Sequence, residues 1–263
     1  MRSEELYKVN FRWMRPDCRQ DTLALGLDGG ILLIRAILFD LDGTLSFMDN
    51  EKFMRNYVGL LAPRFSHLYP PDKFAKQLMR STEVMVREPK PGRTNLQAFF
   101  DDFCRALSLS FSVLWPIFEE YYEHDFPNLK YLVKPNPEGN KAVETAIQQG
   151  YTVAVAANPV MPLSAIKERI RWAGFSPELF KAIPSIETFH FCKPHSGFFE
   201  EAAKHLEVEP AQCLMVGNHP VEDLAARHTG MKTFLNGEVP DGVETDYAGG
   251  LADLTRLILQ GNL

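Results

Sequence analysis

The sequence has 263 residues, a net charge of −6, a hydrophobic fraction of 45% and a charged fraction of 24%. This balance is typical of a globular protein with a sizeable core, and the acidic charge without a basic cluster argues against a nucleic-acid partner. The four cysteines include no CxxC pair, which predicts reduced thiols in a cytosolic protein and not a disulfide framework.

Residues 1–33 precede the first regular pattern in the chain. They lack the apolar core of a signal peptide, and no apolar stretch of the sequence reaches the ~20 residues of a membrane helix. We therefore predict a soluble, cytoplasmic protein with no membrane contact. We interpret residues 1–33 as an N-terminal extension without identifiable function, either poorly ordered or the result of an early assigned start codon.

From residue 34, short apolar runs alternate with stretches of helical periodicity. The predicted strands are Arg35–Phe39, Tyr151–Ala156, Ala182–Ile186, Gln212–Val216 and Met231–Leu235. The predicted helices are Pro137–Gln149, Leu163–Trp172, Phe198–His205, Val221–Arg227 and Leu251–Leu259. Alternation of this kind predicts βαβ units and a mainly parallel sheet.

Residues 47–136 interrupt this alternation, because apolar residues recur there at helical spacing in four separate stretches. Residues suited to begin a helix stand at the start of each stretch: Asp49 or Asn50, Asp72, Thr94 and Ser112. A crossover between parallel strands normally contains one helix. The surplus therefore predicts an inserted helical subdomain.

The predicted fold class is α/β, a Rossmann-like three-layer core with a parallel sheet and an inserted all-helical cap subdomain. The core is expected to comprise residues 34–46 and 137–263, and the cap residues 47–136. Ligands of such sheets bind at the carboxyl ends of the strands. Because the cap leaves the core at the end of the first strand, it is placed to roof a ligand site.

Polar side chains stand where the apolar strands stop: Asp40 and Asp42 in FDLDGTL, then Asn158, Lys193 and Asp223. Alone, the two aspartates could also be the caps of a turn. A carboxylate can attack phosphorus to form an aspartyl phosphate, and a second one can exchange protons with the leaving group and water. Several acids beside a phosphate require cations, so Mg²⁺ and a lysine are expected.

These segments, in this order, resemble the signature motifs of the haloacid dehalogenase-like hydrolase superfamily. DLDGT at 40–44 is similar to the first motif, and AANP at 156–159 stands in the place of the second. KP at 193–194 resembles the third motif, and GNHPVED at 217–223 the fourth. The resemblance covers about residues 34 to 240, including a helical cap such as many members insert after the first motif.

The resemblance implies a role for each matching residue. Asp40 would be the nucleophile and a Mg²⁺ ligand, and Asp42 the general acid/base with its backbone carbonyl on the metal. Lys193 would steady the nucleophile and the phosphate. Asn218 and Asp223 would complete the metal site, one directly and the other through water. Dehalogenases of the superfamily lack the second acid, so Asp42 favours phosphate chemistry.

Five positions are predicted to bind the substrate: Gly43, Thr44, Arg93, Ala157 and Asn158. The second motif usually ends in Thr or Ser, whose hydroxyl binds phosphate, and Ala157 occupies that place. The Asn158 side chain and nearby backbone N–H groups are expected to compensate. Arg93 either belongs to a loop that caps a helix or faces the pocket and reads an anionic substrate.

The predicted function is that of a Mg²⁺-dependent phosphatase acting on a small phosphorylated metabolite. A phosphomutase, or a catalytically weak member that binds a ligand or partner, is the alternative, and the sequence indicates neither the substrate nor the oligomeric state. His190, Cys192 and His195 are candidates for a zinc site, but no second group of ligands accompanies them. Ordinary packing is the favoured interpretation of those three residues.

Overall fold

Five parallel strands flanked by helices form the centre of the computed structural model, which describes residues 33–90 and 92–263. The strands along the chain are β1 (Ala36–Phe39), β2 (Ser46–Met48), β3 (Val133–Pro135), β4 (Thr152–Val155), β5 (Cys213–Gly217), β6 (Lys232–Asn236) and β7 (Tyr247–Gly249). The helices are α1 (Asn50–Leu61), α2 (Pro71–Arg87), α3 (Asn95–Leu107), α4 (Phe111–His124), α5 (Pro137–Gln148), α6 (Leu163–Trp172), α7 (Ser196–Leu206) and α8 (Leu251–Gln260).

The main sheet has the strand order β4-β1-β5-β6-β7, and every neighbouring pair is parallel. Side chains alternate across a strand, so Ile37 and Phe39 of β1 join an apolar cluster with α5, α6 and α8. Ala36 and Leu38 join the cluster on the other face, with α7. Helices on both faces of a parallel sheet make three layers, and the predicted fold class is confirmed.

The predicted strand at residues 182–186 is wrong. Only Ala182 makes a bridge, to Ala154 of β4, and the chain then leaves the sheet. The Ile186 carbonyl instead accepts a hydrogen bond from the backbone N–H of Leu96, at 2.7 Å. This segment is apolar because it is buried between the edge of the sheet and α3, and burial by a helix leaves the same sequence pattern as burial in a strand.

The predicted α-helix at residues 221–227 is also wrong. Leu224–Thr229 is a 3₁₀ turn that ends at Gly230, which has a left-handed conformation. The strands β2, β3 and β7 have three residues each, which is too few for an alternating pattern to predict them. The other predicted core strands and helices are present, with ends that differ from the prediction by at most two residues.

Helices α1 to α4, called the helical segment below (residues 50–124), lie between β2 and β3. The Asp49 side chain accepts from the backbone N–H of Lys52 at 3.0 Å, and Thr94 forms a capping box with Gln97. Such bonds satisfy the orphan N–H groups of a first turn. Strands β2 and β3 pair antiparallel, so the chain enters and leaves this segment through one ribbon. The predicted boundaries of core and cap stay a prediction.

The start of α3 is bonded to the core. The backbone N–H groups of its first two residues donate to core carbonyls, both at 2.7 Å. The side-chain amide of Asn95, which is 1% exposed, donates to Pro159 O at 3.3 Å and lies 3.4 Å from Cys192 Sγ. Because Pro159 and Cys192 adjoin Asn158 and Lys193 in the chain, the helical segment is fixed beside two of the predicted site residues.

None of the described helices is long and apolar enough to cross a membrane. Three of the four cysteines, Cys104, Cys192 and Cys213, belong to the described part of the chain, and all three are unpaired. The predicted N-terminal extension, apart from its last residue, lies outside the described residues.

Candidate active site

A cluster of three charged groups, called the inner cluster, lies at the carboxyl ends of β1 and β5: Asp40, Lys193 and Asp223. Lys193 Nζ donates to Asp40 Oδ1 at 2.8 Å and to Asp223 Oδ1 at 2.6 Å. Neighbouring parallel strands end at the same edge of a sheet, which is why residues so distant in sequence meet here. Their exposed fractions are only 8%, 2% and 1% respectively. The structure thus brings together three of the predicted site residues.

The electrostatics of the inner cluster follow from this burial. Burial by itself lowers the pKa of Lys193, but the charges of Asp223 and Asp40 outweigh it and raise that pKa above its ordinary value. Burial raises the pKa of Asp40 to about 6 against the opposing charge of Lys193, and the charge of Asp223 adds to the rise. Two carboxylates share one ammonium group. When both are ionised the cluster has an excess negative charge, which a further cation would neutralise.

Asp223 is held from two sides. Its Oδ1 accepts from Lys193, and its Oδ2 accepts from the backbone N–H of His219 at 2.9 Å. The carboxylate lies directly on Gly217, where a Cβ atom would overlap it. Asp223 thus orients Lys193, and each of its oxygens keeps a lone pair with which it could bind a metal directly or through water.

Three oxygen atoms converge beside the inner cluster. Asn218 Oδ1 lies 3.3 Å from Asp40 Oδ2 and 3.1 Å from the Asp42 carbonyl oxygen. Neither neighbour is a donor, so the approach is unfavourable unless the amide is reversed or a cation lies between the oxygens. Ligands at adjacent corners of a Mg²⁺ octahedron lie about 3 Å apart. With the amide reversed, Asn218 Nδ2 donates to both neighbours. With Asn218 Oδ1 turned toward them, as a bound cation would require, a carboxylate, a carbonyl and an amide oxygen stand at a spacing that fits Mg²⁺.

Thr44 and Gly43 support this oxygen group. Thr44 is fully buried, and its hydroxyl lies 3.4 Å from Asp40 Oδ2 and 3.2 Å from Asn218 Oδ1. Gly43 has φ +85°, and a Cβ atom there would overlap the Asn218 side chain. The Thr44 side chain has no exposed surface, so the geometry gives no support to a side-chain contact with substrate, and the predicted role of Thr44 stays a prediction. Thr44 orients Asp40 and Asn218, and Gly43 makes room for Asn218.

Asn158 is engaged within the protein. Its Oδ1 accepts from the backbone N–H of Lys193 at 2.8 Å, and its Nδ2 donates to Glu222 Oε2 at 3.2 Å. Its amide joins the second motif to the third, so the geometry gives no support to a contact of this side chain with phosphate, which stays a prediction. Its backbone N–H donates to no other group of the described residues and is free for an anion. Its partner Glu222 is not among the predicted site residues. Burial raises the pKa of the Glu222 carboxyl group.

Two other predicted substrate contacts lack support in the geometry. The Ala157 side chain is 3% exposed and belongs to the apolar cluster on the α5 and α6 side of the sheet. Arg93 is exposed and forms an ion pair with Asp101 of α3. Among the described residues, Arg93 makes no hydrogen bond to a predicted motif residue. Because Asp101 already neutralises its charge, Arg93 fits the interpretation as part of a loop.

Asp42 does not join the inner cluster. Its carboxylate forms an ion pair with Arg169 of α6, and we call these two residues the outer pair. The Arg169 guanidinium lies 5.9 Å from the ring centroid of Phe53, on α1 of the helical segment. Sequence reasoning missed Arg169, although a signal exists. Its position falls on the buried face of α6 with Ile166 and Ile170, where an arginine needs a buried partner.

The zinc alternative at His190, Cys192 and His195 finds no support. His190 Nδ1 lies 2.6 Å from Glu201 Oε1, while His195 Nδ1 accepts from the backbone N–H of Gly197 at 3.0 Å as the cap of α7. Over residues 33–90 and 92–263, no three His, Cys, Asp or Glu side chains gather as a metal site. The three residues have ordinary packing and capping roles.

Comparison with known proteins points to one family. The model of the haloacid dehalogenase-like hydrolases matches residues 34–229. Pyrophosphatase PpaX of Anoxybacillus flavithermus is 23% identical over 200 residues, which are 76% of this chain and 82% of that protein. The sequence resemblance is confirmed.

Two solved structures share the fold. A HAD (haloacid dehalogenase-like) phosphatase from Thermococcus onnurineus aligns with a TM-score of 0.56 and 20% identity, over 87% of this chain and 99% of that one. The L-2-haloacid dehalogenase RSc1362 aligns with a TM-score of 0.51 and 20% identity, over 86% of this chain and 99% of that one. A phosphatase and a dehalogenase therefore have the same architecture, and the reaction must be argued from the site. The family itself is shown by the match over residues 34–229: the chain belongs to the haloacid dehalogenase-like hydrolases.

Proposed function

We propose that this protein is a Mg²⁺-dependent phosphatase that hydrolyses a small phosphorylated metabolite through an aspartyl phosphate. The observation that carries the proposal is the pair of carboxylates at the end of β1. Asp40 is held in place by the buried Lys193, and Asp42 has a partly exposed carboxylate two residues further on. Phosphate ester cleavage uses a second acid, which dehalogenation does not need. The phosphatase and pyrophosphatase among the similar proteins support the same reaction class.

The chain's own residues account for two balanced steps. In the first, a carboxylate oxygen of Asp40 attacks phosphorus, the bond from phosphorus to the leaving oxygen breaks, and Asp42 gives a proton to that oxygen. In the second, water attacks phosphorus, its proton passes to Asp42, and the bond to Asp40 breaks with release of inorganic phosphate. Lys193 lies beside the attacking carboxylate and offsets negative charge on the transferred group.

Asp40, the Asp42 carbonyl and Asn218 would hold the magnesium ion. When bound, Mg²⁺ neutralises charge on Asp40 and on the phosphate, so that two anions can approach each other. Asn218 adds an oxygen ligand without adding a charge. We therefore expect a weaker affinity for Mg²⁺ than an aspartate at that position would give.

The size of the substrate follows from the position of the helical segment. That segment is bonded to the loops beside Asn158 and Lys193, and it contacts the Arg169 guanidinium through Phe53. Acting as a cap, residues 47–136 would restrict the site to a small phosphate ester. The predicted cytoplasmic location is part of the same proposal.

A panel of phosphomonoesters assayed with Mg²⁺ tests this function, with Asp40→Asn as the matched variant. We expect the wild type to release phosphate and Asp40→Asn to release none, because an amide of nearly the same shape is a poor nucleophile. Asp42→Asn should lower kcat by about 10²–10⁴-fold. EDTA should abolish turnover, and Mg²⁺ should restore it.

Other outcomes identify other functions. Isomerisation of a sugar phosphate without release of phosphate would indicate a phosphomutase, and halide release from a 2-haloalkanoic acid would indicate a dehalogenase. Ligand binding without any turnover would indicate a binding protein. Full hydrolysis by Asp40→Asn, or in metal-free buffer, would overturn the mechanism proposed here.

A further inference from the structure

Arg169 is a buried charge that the reaction steps above do not use. It lies on the buried face of α6 and is 5% exposed. Its guanidinium forms the ion pair with Asp42, lies 3.9 Å from Met161 Sδ through Nη1, and has the Phe53 ring 5.9 Å away. It therefore contacts a predicted catalytic residue, the loop after β4 and the helical segment at once.

Burying this arginine is costly. Burial lowers the pKa of Arg169 to about 10, which still leaves it positively charged at neutral pH. Its Nε is buried and has no hydrogen-bond partner among the described residues, and an unsatisfied buried donor costs about 1–3 kcal/mol. A leucine or methionine would fill the same face of α6 without this penalty. The arginine is therefore better explained by what it does to Asp42 than by packing.

The two oxygens of the Asp42 carboxylate have different surroundings. Oδ2 is bound by Arg169, whereas Oδ1 accepts no hydrogen bond from the described residues. The side chain is 28% exposed, so water and substrate can reach it. One oxygen is thus anchored by a rigid, planar donor, and the other is free to exchange a proton.

We propose that Arg169 is a positioning residue that fixes the Asp42 carboxylate by Oδ2, so that Oδ1 meets the leaving oxygen of the substrate. This inference rests on the proposed function. Oδ1 gives its proton to the leaving oxygen in the first step and takes one from water in the second, while Oδ2 stays on the guanidinium. The guanidinium lies over the Phe53 ring, which limits its movement away from Asp42. Arg169 itself touches neither the phosphorus nor the leaving group.

A positioning role through Asp42 predicts a dependence on the leaving group. An alkoxide must be protonated as it departs, whereas p-nitrophenolate leaves without a proton. We expect Arg169→Met to lower kcat/KM by about 30- to 100-fold for an alkyl phosphate, within the range of general acid catalysis. For p-nitrophenyl phosphate the loss should be less than about fivefold. The quantity to compare is kcat/KM, because it reports the steps up to departure of the alcohol.

A double-mutant cycle tests the route of the effect. If Arg169 acts through Asp42, then Arg169→Met should change alkyl phosphate hydrolysis less than about threefold in the Asp42→Asn background. Arg169→Lys keeps the charge but loses the planar fork, so it should recover part of the activity. Arg171→Met is the matched control, since Arg171 lies on the same helix, is exposed and pairs with Glu168. Its kinetics should equal those of the wild type.

The outcomes are distinguishable. Equal losses for both substrates, or an undiminished loss in the Asp42→Asn background, would overturn the positioning role and leave the phosphatase intact. If Arg169→Met does not fold, as judged by thermal unfolding, the comparison is made with Arg169→Lys, which must still favour the aryl substrate. Hydrolysis that survives Asp40→Asn would instead overturn the proposed function, and this inference with it.

Discussion

The inner cluster and the outer pair place the two predicted catalytic carboxylates in different surroundings, although Asp40 and Asp42 are only two residues apart. Asp40 is buried in the core and shares Lys193 with Asp223. Asp42 is partly exposed and paired with Arg169, whose other side is covered by the helical segment. The inner cluster forms where β1 and β5 end, whereas the outer pair forms where α6 packs against the loop after β1, with Phe53 of the helical segment beside it.

This difference teaches that residues of one active site can contribute differently to stability. The inner cluster should affect both turnover and stability, whereas Asp42 should affect mainly turnover. Each charge of the inner cluster is buried and depends on the others, so a change there affects folding as well as turnover. The Asp42 side chain is partly exposed, so a change there should affect turnover more than folding. The following predictions test this contrast, from the largest expected effect to the smallest.

Lys193→Met should have the largest effect on stability. It leaves two buried carboxylates without their cation, and removing one partner of a buried pair costs about 3–5 kcal/mol. For a chain of this size that corresponds to a fall in Tm of about 10 °C or more, together with loss of hydrolysis. Thermal unfolding and phosphate release measure the two effects.

The control for that variant is Lys181→Met. Lys181 is also paired with a carboxylate, that of Glu207, but both side chains are largely exposed. Exposed pairs contribute about 0–1 kcal/mol, so the Tm should barely change. Equal stability of Lys193→Met and Lys181→Met would show that the inner cluster does not stabilise the fold.

Gly217→Ala should break the inner cluster without removing a charge. The added methyl group would overlap the Asp223 carboxylate, and overpacking of this kind costs about 1–3 kcal/mol. Displacement of Asp223 should also release Lys193 and lower kcat by about tenfold or more. Gly59→Ala is the control, because nothing lies near that position on α1. It should stabilise the helix slightly, and a similar result for Gly217→Ala would contradict the close packing.

Asp40→Asn should stabilise the metal-free protein while it abolishes turnover. The pKa of Asp40 is raised by burial to about 6 from 3.8. The folded state therefore holds this proton more tightly than the unfolded state, and stability falls as the pH rises from about 4 to 6. Above that window the ionised Asp40 lowers the free energy of unfolding by roughly 3 kcal/mol. This figure already includes the favourable ion pair with Lys193.

The measurement is Tm in EDTA as a function of pH. Near pH 7.5, Asp40→Asn should melt a few degrees above the wild type, and the gap should close toward pH 4. Mg²⁺ should then raise the Tm of the wild type more than that of the variant. If the variant were less stable than the wild type at pH 7.5 in EDTA, the ionised Asp40 would not destabilise the folded protein.

Ala157→Thr should have the smallest effect. A hydroxyl that reached the phosphate would contribute about 1.5–3 kcal/mol, but the Ala157 methyl is packed in the apolar cluster. We therefore expect kcat/KM to change less than about threefold and stability to fall by about 1 kcal/mol. Ala157→Ser, which adds less volume, is the companion variant. A gain of tenfold or more in either would show that the site lacks a phosphate donor.

The sequence predicts the inner cluster because one general rule places its members. Residues that follow parallel strands meet at one edge of the sheet, so Asp40 and Asp223 are brought together without any knowledge of side-chain packing. The helix Leu163–Trp172 is predicted to the residue, since its apolar periodicity is not interrupted. These features depend on local residue patterns and on the order of strands and helices, and both can be inferred from the sequence.

The remaining features depend on contacts between distant segments, which no local pattern contains. Arg169 becomes a partner of Asp42 only when α6 packs against the loop after β1. The Asn158 amide is engaged at both ends, by Glu222 and by the Lys193 backbone, and neither contact follows from a local pattern. The apolar pattern of residues 182–186 predicts a strand. In the structure this segment makes one bridge to β4 and a backbone hydrogen bond with α3.

The attachment of α3 to the core has a consequence for how this architecture can be recombined. The ribbon of β2 and β3 would by itself make the helical segment a cassette with one point of entry and exit. Asn95, however, is bonded through its backbone and its side chain to carbonyls of the loops after β4 and before α7. A chimera that takes residues 50–124 from a relative should therefore take the loop around Pro159 and residues 186–192 from the same source, because these loops are hydrogen-bonded to α3 although they are distant from it in the chain.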